Sequence, residues 1–153
     1  MHITIAAIGR AKTSSLYSQL YDEYIKRLPW TVQLRELEEK RPLPTDQRKT
    51  REAELLLSAC EGAHHIIALD ERGKELTSPE FAGKLGEWQQ GGASHFAFVI
   101  GGQDGLDKSI RQKASLTLSF GRMTWPHMLV RPLLAEQLYR AHTILTGHPY
   151  HRD

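Results

Sequence analysis

Apolar residues in this chain gather in short runs, and amphipathic stretches separate the runs almost from end to end. Ile3 to Ile8 is such a run and closes at Gly9, the pattern of a buried strand. Ser14 and Ser15 can cap a helix in which Leu16, Leu20, Tyr24 and Leu28 recur at every fourth position, and Pro29 stops it. Val32 and Leu34, with Leu37 at the margin, belong to a second strand. The polar stretch from Glu38 to Thr45 holds two prolines and reads as a stiff surface loop; Arg48 to Ala59 reads as helix. His64 to Asp70 is a third strand, ending on an acidic residue. Thr77 and Ser78 with Pro79 open a helix that runs to about Trp88. His95 to Ile100 is a fourth strand and leads straight into Gly101-Gly102-Gln103-Asp104-Gly105. A short helix around Leu106 to Lys113 and a fifth strand, Leu116 to Ser119, follow. The last helix places Leu134, Leu138, Ala141 and Leu145 on one face, has Pro132 near its first turn, and ends at Gly147 before Pro149. This alternation predicts a single α/β domain with a largely parallel sheet covered on both faces.

Composition narrows the class rather than the function. At 153 residues the chain can bury a real core, and 40% hydrophobic with 25% charged residues is ordinary for a soluble domain. A net charge of +2 does not mark a nucleic-acid binder, so the distribution of charge matters more. The last thirty-odd residues carry Arg122, Arg131, Arg140 and Arg152 against only Glu136 and Asp153, together with His127, His142, His148 and His151. The single cysteine, Cys60, excludes an intrachain disulfide, which suits a reducing cytoplasm, and its apolar neighbours make it a buried structural thiol. The first residues lack the charged start and long apolar core of a signal peptide, and no stretch approaches a membrane span.

In open α/β sheets ligands sit at the carboxyl ends of strands. Three strand ends here are chemically unusual: Leu69-Asp70, Gly101-Gly102, and the segment from Gly121 to His127. The double glycine permits positive φ and close approach of backbone to a ligand, or it is simply a tight turn. In the last segment, backbone groups can bond a planar base edge while Trp125 and Pro126 cover its faces, or the tryptophan packs in the core. The motifs GxxxxGK[ST], GxGxxG, CxxC and HExxH are all missing, which argues against a phosphate-loop nucleotide enzyme and against a metal site.

Taken together, I-T-I-A-A-I-G-R, I-I-A-L-D, F-V-I-G-G-Q-D-G-L, M-T-W-P-H-M-L-V-R, A-E-Q-L-Y-R-A and H-P-Y-H-R-D resemble the RlmH-type SPOUT methyltransferases, nearly end to end. The resemblance implies an α/β knot, in which the C-terminal segment threads a loop to form a trefoil, and a homodimer. It implies S-adenosyl-L-methionine as cofactor and 23S rRNA in the large subunit or assembled ribosome as partner. The implied product is the helix 69 loop pseudouridine methylated at N3. It assigns cofactor contacts to Leu69, Gly101, Gly102, Gly121, Arg122, Met123, Thr124, Trp125 and Pro126. The family's histidine and arginine after the 121–126 loop fall on His127 and Arg131, and its tail on Tyr150, His151 and Arg152; the chemistry of these residues then suggests catalytic roles for His127, Arg131 and His151 and RNA contacts for Arg140, Tyr150 and Arg152. Two departures from some relatives, Met128 and Pro132, touch none of these roles.

N3 of a uracil ring must lose a proton to become nucleophilic, and histidine is the side chain suited to take it near neutral pH. His127 and His151 are both candidates, with RNA backbone contact as the alternative role. Glu136, four residues before Arg140, predicts an ion pair on the helix. Two rival functions remain: a non-catalytic ribosome-binding factor, separated by cofactor titration, and a SPOUT enzyme with another RNA target, separated by mass spectrometry of the RNA.

Overall fold

Strand and helix alternate without exception in the computed structural model, which describes residues 1–152 and so leaves Asp153, the last residue of the motif-bearing tail, outside the described residues. The elements are β1 (His2–Ile8), α1 (Leu16–Ile25), β2 (Thr31–Leu37), α2 (Thr45–Ala59), β3 (His65–Glu75), α3 (Ser78–Gln90), β4 (His95–Ile100), α4 (Lys108–Lys113), β5 (Leu116–Ser119) and α5 (His127–Thr146). The strands form one sheet in the order β2-β1-β4-β3-β5, and every pairing is parallel. Parallel strands need crossover connections, which here are helices lying on the two faces.

Side-chain size decides which helices lie where. Strand residues alternate between faces, and one face collects the bulky set Ile3, Ile5, Ile67, Phe96, Phe98 and Ile100. That face carries α3 and α5 through Phe81, Leu85, Leu134 and Leu138, with α1 reaching it through Tyr21. The opposite face presents Ala6, Ile8, Ala68, Ala97 and Val99, a shallower surface covered by α2 and α4 through Ala53, Leu56 and Ile110. Cys60 packs in this second layer, and burial pushes its thiol up to about 11, as an inert structural cysteine requires. No helix among the described residues is long and apolar enough to cross a membrane.

Four local expectations need correction. The face of α1 that meets the core runs through Tyr21, Tyr24, Ile25 and Leu28, whereas Leu16 is 80% and Leu20 43% exposed. A strict four-residue repeat drifts by about 40° per step around a helix with 3.6 residues per turn, so Leu16 ends well off the buried stripe. Leu145 is likewise half in solvent, touching only the edge of α3 near Gly86. β3 does not stop at Asp70: it bulges between Leu69 and Lys74 and resumes pairing with β5 as far as Glu75. Gly73 allows this, because a Cβ there would lie 2.6 Å from the Thr117 carbonyl oxygen. Finally, α5 starts at His127 directly after Pro126, so Pro132 is its sixth residue rather than part of its first turn.

Candidate active site

The carboxyl ends of β3, β4 and β5 and the first turn of α5 enclose a crevice of about 580 Å³. A larger hollow of about 980 Å³ beside α2 is an open, charged surface lined by residues between 38 and 54, and no predicted site residue lines it. The crevice is where the sequence placed a ligand. Its floor is apolar, made by Leu69, Ile100, Leu106 and Leu118 at the strand ends.

Gly101 and Gly102 form one wall, but not for the reason expected. Neither is among the positive-φ glycines; those near the crevice are Gly105 (φ 78°) and Gly121 (φ 117°). The double glycine is needed for space. A Cβ on Gly101 would lie 2.9 Å from the Gly105 carbonyl carbon, and one on Gly102 would lie 3.0 Å from Ile8 Cγ2. The turn closes with Gly105 N donating to the Gly102 carbonyl at 3.0 Å, and Asp104 is anchored to Arg48 of α2 at 3.0 Å.

The opposite wall is the 120–126 loop. Ser119 Oγ accepts from Gly121 N at 3.1 Å and donates to the Gly121 carbonyl at 2.8 Å, which fixes the turn out of β5. Thr124 Oγ1 donates to Glu71 at 2.8 Å, tying the loop to the β3 bulge, and Trp125 Nε1 donates to the Phe120 carbonyl at 3.3 Å. Gly121, Met123, Thr124, Trp125 and Pro126 all line the crevice. Arg122 does not: its side chain is 94% exposed and reaches back to Glu75 at 3.6 Å.

The β3 bulge supplies two residues that the sequence reading passed over, Glu71 and Arg72, next to the Asp70 it had singled out. Asp70, Glu71 and Arg72 line the crevice beside Leu69. Asp70 is nearly buried and bonded by Arg72 at 3.3 Å and by Arg111 at 3.2 Å. The signal was present in Gly73, since an isolated glycine in a strand marks a bulge or close approach.

His127 and Arg131 lie in the first two turns of the last helix. His127 is half-buried on the crevice rim, and its imidazole is held below the ordinary histidine value, first by burial and then by the Arg131 guanidinium. Arg131 itself turns away. It is 3% exposed and outside the crevice, with Nη2 donating to the carbonyls of Gly9 (2.7 Å) and Ile8 (3.1 Å) and Nη1 donating to Glu36 (2.6 Å).

The tail folds along the far half of α5. Tyr150 donates its hydroxyl proton to Glu136 at 3.0 Å, packs edge-on against Tyr139, and lies under the Arg140 guanidinium at 4.9 Å. The expected Glu136–Arg140 pair is present, with Nε at 2.9 Å, and Arg140 Nη1 is 3.1 Å from His151 Nδ1. Burial and the Glu136 carboxylate push the Tyr150 phenol up to about 12, so it stays protonated. Arg152 is exposed. Arg140 and Tyr150 border a second hollow that shares Leu118, Phe120, Gly121 and Trp125 with the crevice, so the 120–126 loop separates the two. Within one chain His127 and His151 are not brought together: Arg140, which holds His151, lies ~20 Å along α5 from His127 at ~1.5 Å per residue. Among the described residues no cluster of His, Cys, Asp or Glu has the geometry to hold a metal ion.

A family model described as predicted SPOUT methyltransferase matches residues 1–151. The chain is 53% identical to a ribosomal RNA large subunit methyltransferase H of Paramagnetospirillum magneticum and 49% identical to one of Rhodospirillum centenum, covering 99% of each chain in both cases. Solved structures share the fold at low identity. A methylase family protein of Haemophilus influenzae superposes with a TM-score of 0.63 at 14% identity, over 99% of this chain and 70% of that one. A methyltransferase of Legionella pneumophila, solved with S-adenosylmethionine bound, gives 0.51 at 12% identity, over 92% of this chain and 66% of that one.

Proposed function

This chain belongs to the SPOUT methyltransferase family, and we propose that it is an S-adenosylmethionine-dependent methyltransferase of large-subunit ribosomal RNA. The acceptor in this reading is N3 of the pseudouridine in the helix 69 loop of 23S rRNA, reached in the cytoplasm on the large subunit or the assembled ribosome. The observation that carries the reading is the crevice: three strand-end loops converge on one cavity with a histidine held toward its neutral form at the rim.

The residues present fit the cofactor. A volume of about 580 Å³ suits a ligand of that size. The Gly101–Gly102 wall has no side chain to intrude on the crevice and packs so closely on Gly105 and Ile8 that a Cβ would have to displace them, and Leu69, Leu118 and Trp125 offer apolar cover for an adenine. Leu69, Gly101, Gly102 and the 121–126 loop would hold it, Arg122 standing outside. When bound, S-adenosylmethionine would supply an electrophilic methyl group, its sulfur keeping the bonding pair, and the acceptor N3 has to give up its proton. His127 is the group placed to receive that proton, since burial and Arg131 keep a lone pair available on its ring. The crevice walls exclude water and orient the acceptor, which supplies most of the acceleration for such a transfer. Arg140, Tyr150 and Arg152 form the RNA side, with Tyr150 offering a ring for an unstacked base. With a net charge of only +2, recognition by shape fits better than bulk attraction.

The same reading includes a homodimer and the trefoil knot that goes with the family. Leu16, Tyr17 and Leu20 form an exposed apolar patch at the start of α1, the kind of surface that marks an interface. The separation of His127 from His151 within one chain supports a second copy that completes the site. The test is transfer of a labelled methyl group to ribosomal RNA from a strain lacking this protein, with the product mapped by mass spectrometry. Label at N3 of the helix 69 pseudouridine is the expected result; label elsewhere moves the target, and failure to bind S-adenosylmethionine removes the reading. Sedimentation at micromolar concentrations is expected to give a dimer, and a fully active monomer would sink that part.

A further inference from the structure

Arg131 is a buried cation wired to three elements, and what surrounds it is a clamp. Its guanidinium bonds the last two carbonyls of the β1 end, Ile8 and Gly9, and the carboxylate of Glu36 on β2. The same Glu36 Oε2 accepts from the backbone N–H of Ala11 at 2.6 Å. Gly9 N donates to the Leu37 carbonyl at 2.7 Å, which adds a backbone tie at the same point. Gly9 must adopt φ 95°, and a Cβ there would lie 3.2 Å from Met128 Cε and 3.5 Å from His127 Nε2, so the β1–α1 loop is pressed against the first turn of α5.

We infer that Glu36 is a positioning residue of the methyl-transfer reaction: through Arg131 it clamps the loop of residues 9–12 against α5 and so sets His127 on the crevice rim. The clamp stands on geometry alone; its effect on turnover rests on the methyltransferase reading. Arg131 is then a positioning residue too, acting through His127 rather than on the substrate. Its charge is neutralised from β2, and the arginine in turn orders β1 and the loop. The exposed Arg10 and Lys12, carried by that loop, are held at the same edge of the sheet as the crevice mouth.

A bland ion pair and a clamp predict different results. A buried pair that only stabilises the fold, when broken, lowers stability, cofactor binding and turnover together. A clamp misplaces His127 while leaving the Gly101–Gly102 and 120–126 walls intact, and a misplacement near 1 Å costs roughly a hundredfold in rate.

The test is Glu36→Gln in the full chain, read by hydrogen–deuterium exchange and by single-turnover methyl transfer to ribosomal RNA. Expected are faster exchange confined to residues 8–13 with β4 unchanged, a fall in kcat of about tenfold to a hundredfold, and an S-adenosylmethionine Kd close to wild type. Glu36→Asp, which keeps the charge, is expected to recover part of the turnover. Should Glu36→Gln fail to fold, Arg131→Lys, which retains the buried cation but loses the fork, carries the same measurements. Wild-type exchange over 8–13 with wild-type kcat overturns the proposal, and so does a loss shared equally by turnover, cofactor binding and melting. If the wild type transfers no methyl group, the functional reading fails, and the exchange pattern alone decides the clamp.

Discussion

Replacing Gly101 with alanine is expected to damage the cofactor site specifically, and the structure sets the scale. The new methyl carbon would stand 2.9 Å from the Gly105 carbonyl carbon, 3.0 Å from its oxygen and 3.1 Å from Leu106 Cδ2. Unstrained carbon contacts lie near ~3.5–4.0 Å, so the 102–105 turn has to retreat by roughly 0.5–1 Å. Two of the three contacts are backbone, in a turn closed by the Gly105–Gly102 hydrogen bond and anchored by Asp104 to Arg48, so a side-chain rotation cannot absorb the shift. Overpacking of this kind costs about 1–3 kcal/mol. If the strain falls on the turn that faces the ligand, Kd for S-adenosylmethionine rises by about 5- to 140-fold at ~1.4 kcal/mol per decade. Calorimetric titration measures that, and melting without ligand separates binding from folding. Gly83→Ala on α3 is the control, because a Cβ there meets nothing within 4 Å; it is expected to leave Kd alone and to stabilise by about 0.5–1 kcal/mol. Wild-type affinity in Gly101→Ala would refute the link between this close packing and cofactor binding, and so would a drop in melting temperature with no change in Kd.

Three further outcomes are expected. Removal of Tyr150 to Asp153 is expected to abolish methyl transfer with little change in cofactor affinity, because the tail packs on Tyr139, Glu136 and Arg140 and not in the crevice; wild-type turnover in the truncated chain would show the tail to be dispensable. His127 titrates below 6.5, so its neutral form is favoured in the folded state; that contribution to stability is complete above the unfolded value and is lost as pH falls through the folded one. The acid limb of kcat/KM is expected below pH 6.5, set first by the burial of His127 and then by the Arg131 charge on the same helix, and Arg131→Met is expected to move it upward. Glu52 is 7% exposed, and burial with the Asp104 charge raises its carboxyl above 4.5. The folded chain therefore holds that proton more tightly than the unfolded one, ionisation opposes folding as pH climbs past 4.5, and Glu52→Gln is expected to raise Tm at pH 7 by about 2–4 °C; a lower Tm would show the carboxylate to be satisfied as it is.

Periodicity and punctuation along the chain determined the order of elements, because an amphipathic repeat or a short apolar run states locally which face wants burial. β4 and β5 begin and end at the residues expected, Gly147 closes α5 in the left-handed region at φ 72°, and Thr77 caps α3 with Glu80 three residues on. The three crevice-lining loops were legible for the same local reason: Leu69–Asp70, Gly101–Gly102 and the Gly121–Pro126 segment are unusual residues at strand ends, and crevices in parallel sheets open at strand ends. Packing between distant segments decided the rest. Nothing near Leu16 announces that Tyr21 will face the core, since the buried stripe of α1 is chosen by where α5 lies. The resemblance gave Arg131 a catalytic role, and its partners are Glu36, 95 residues away, and the carbonyls of Ile8 and Gly9. A buried guanidinium needs its charge balanced and its donors bonded, and only the folded sheet edge brings acceptors to its two Nη atoms, Nε staying unpaired. The division between the residues that face the crevice and those that hold them there is therefore a property of the tertiary structure.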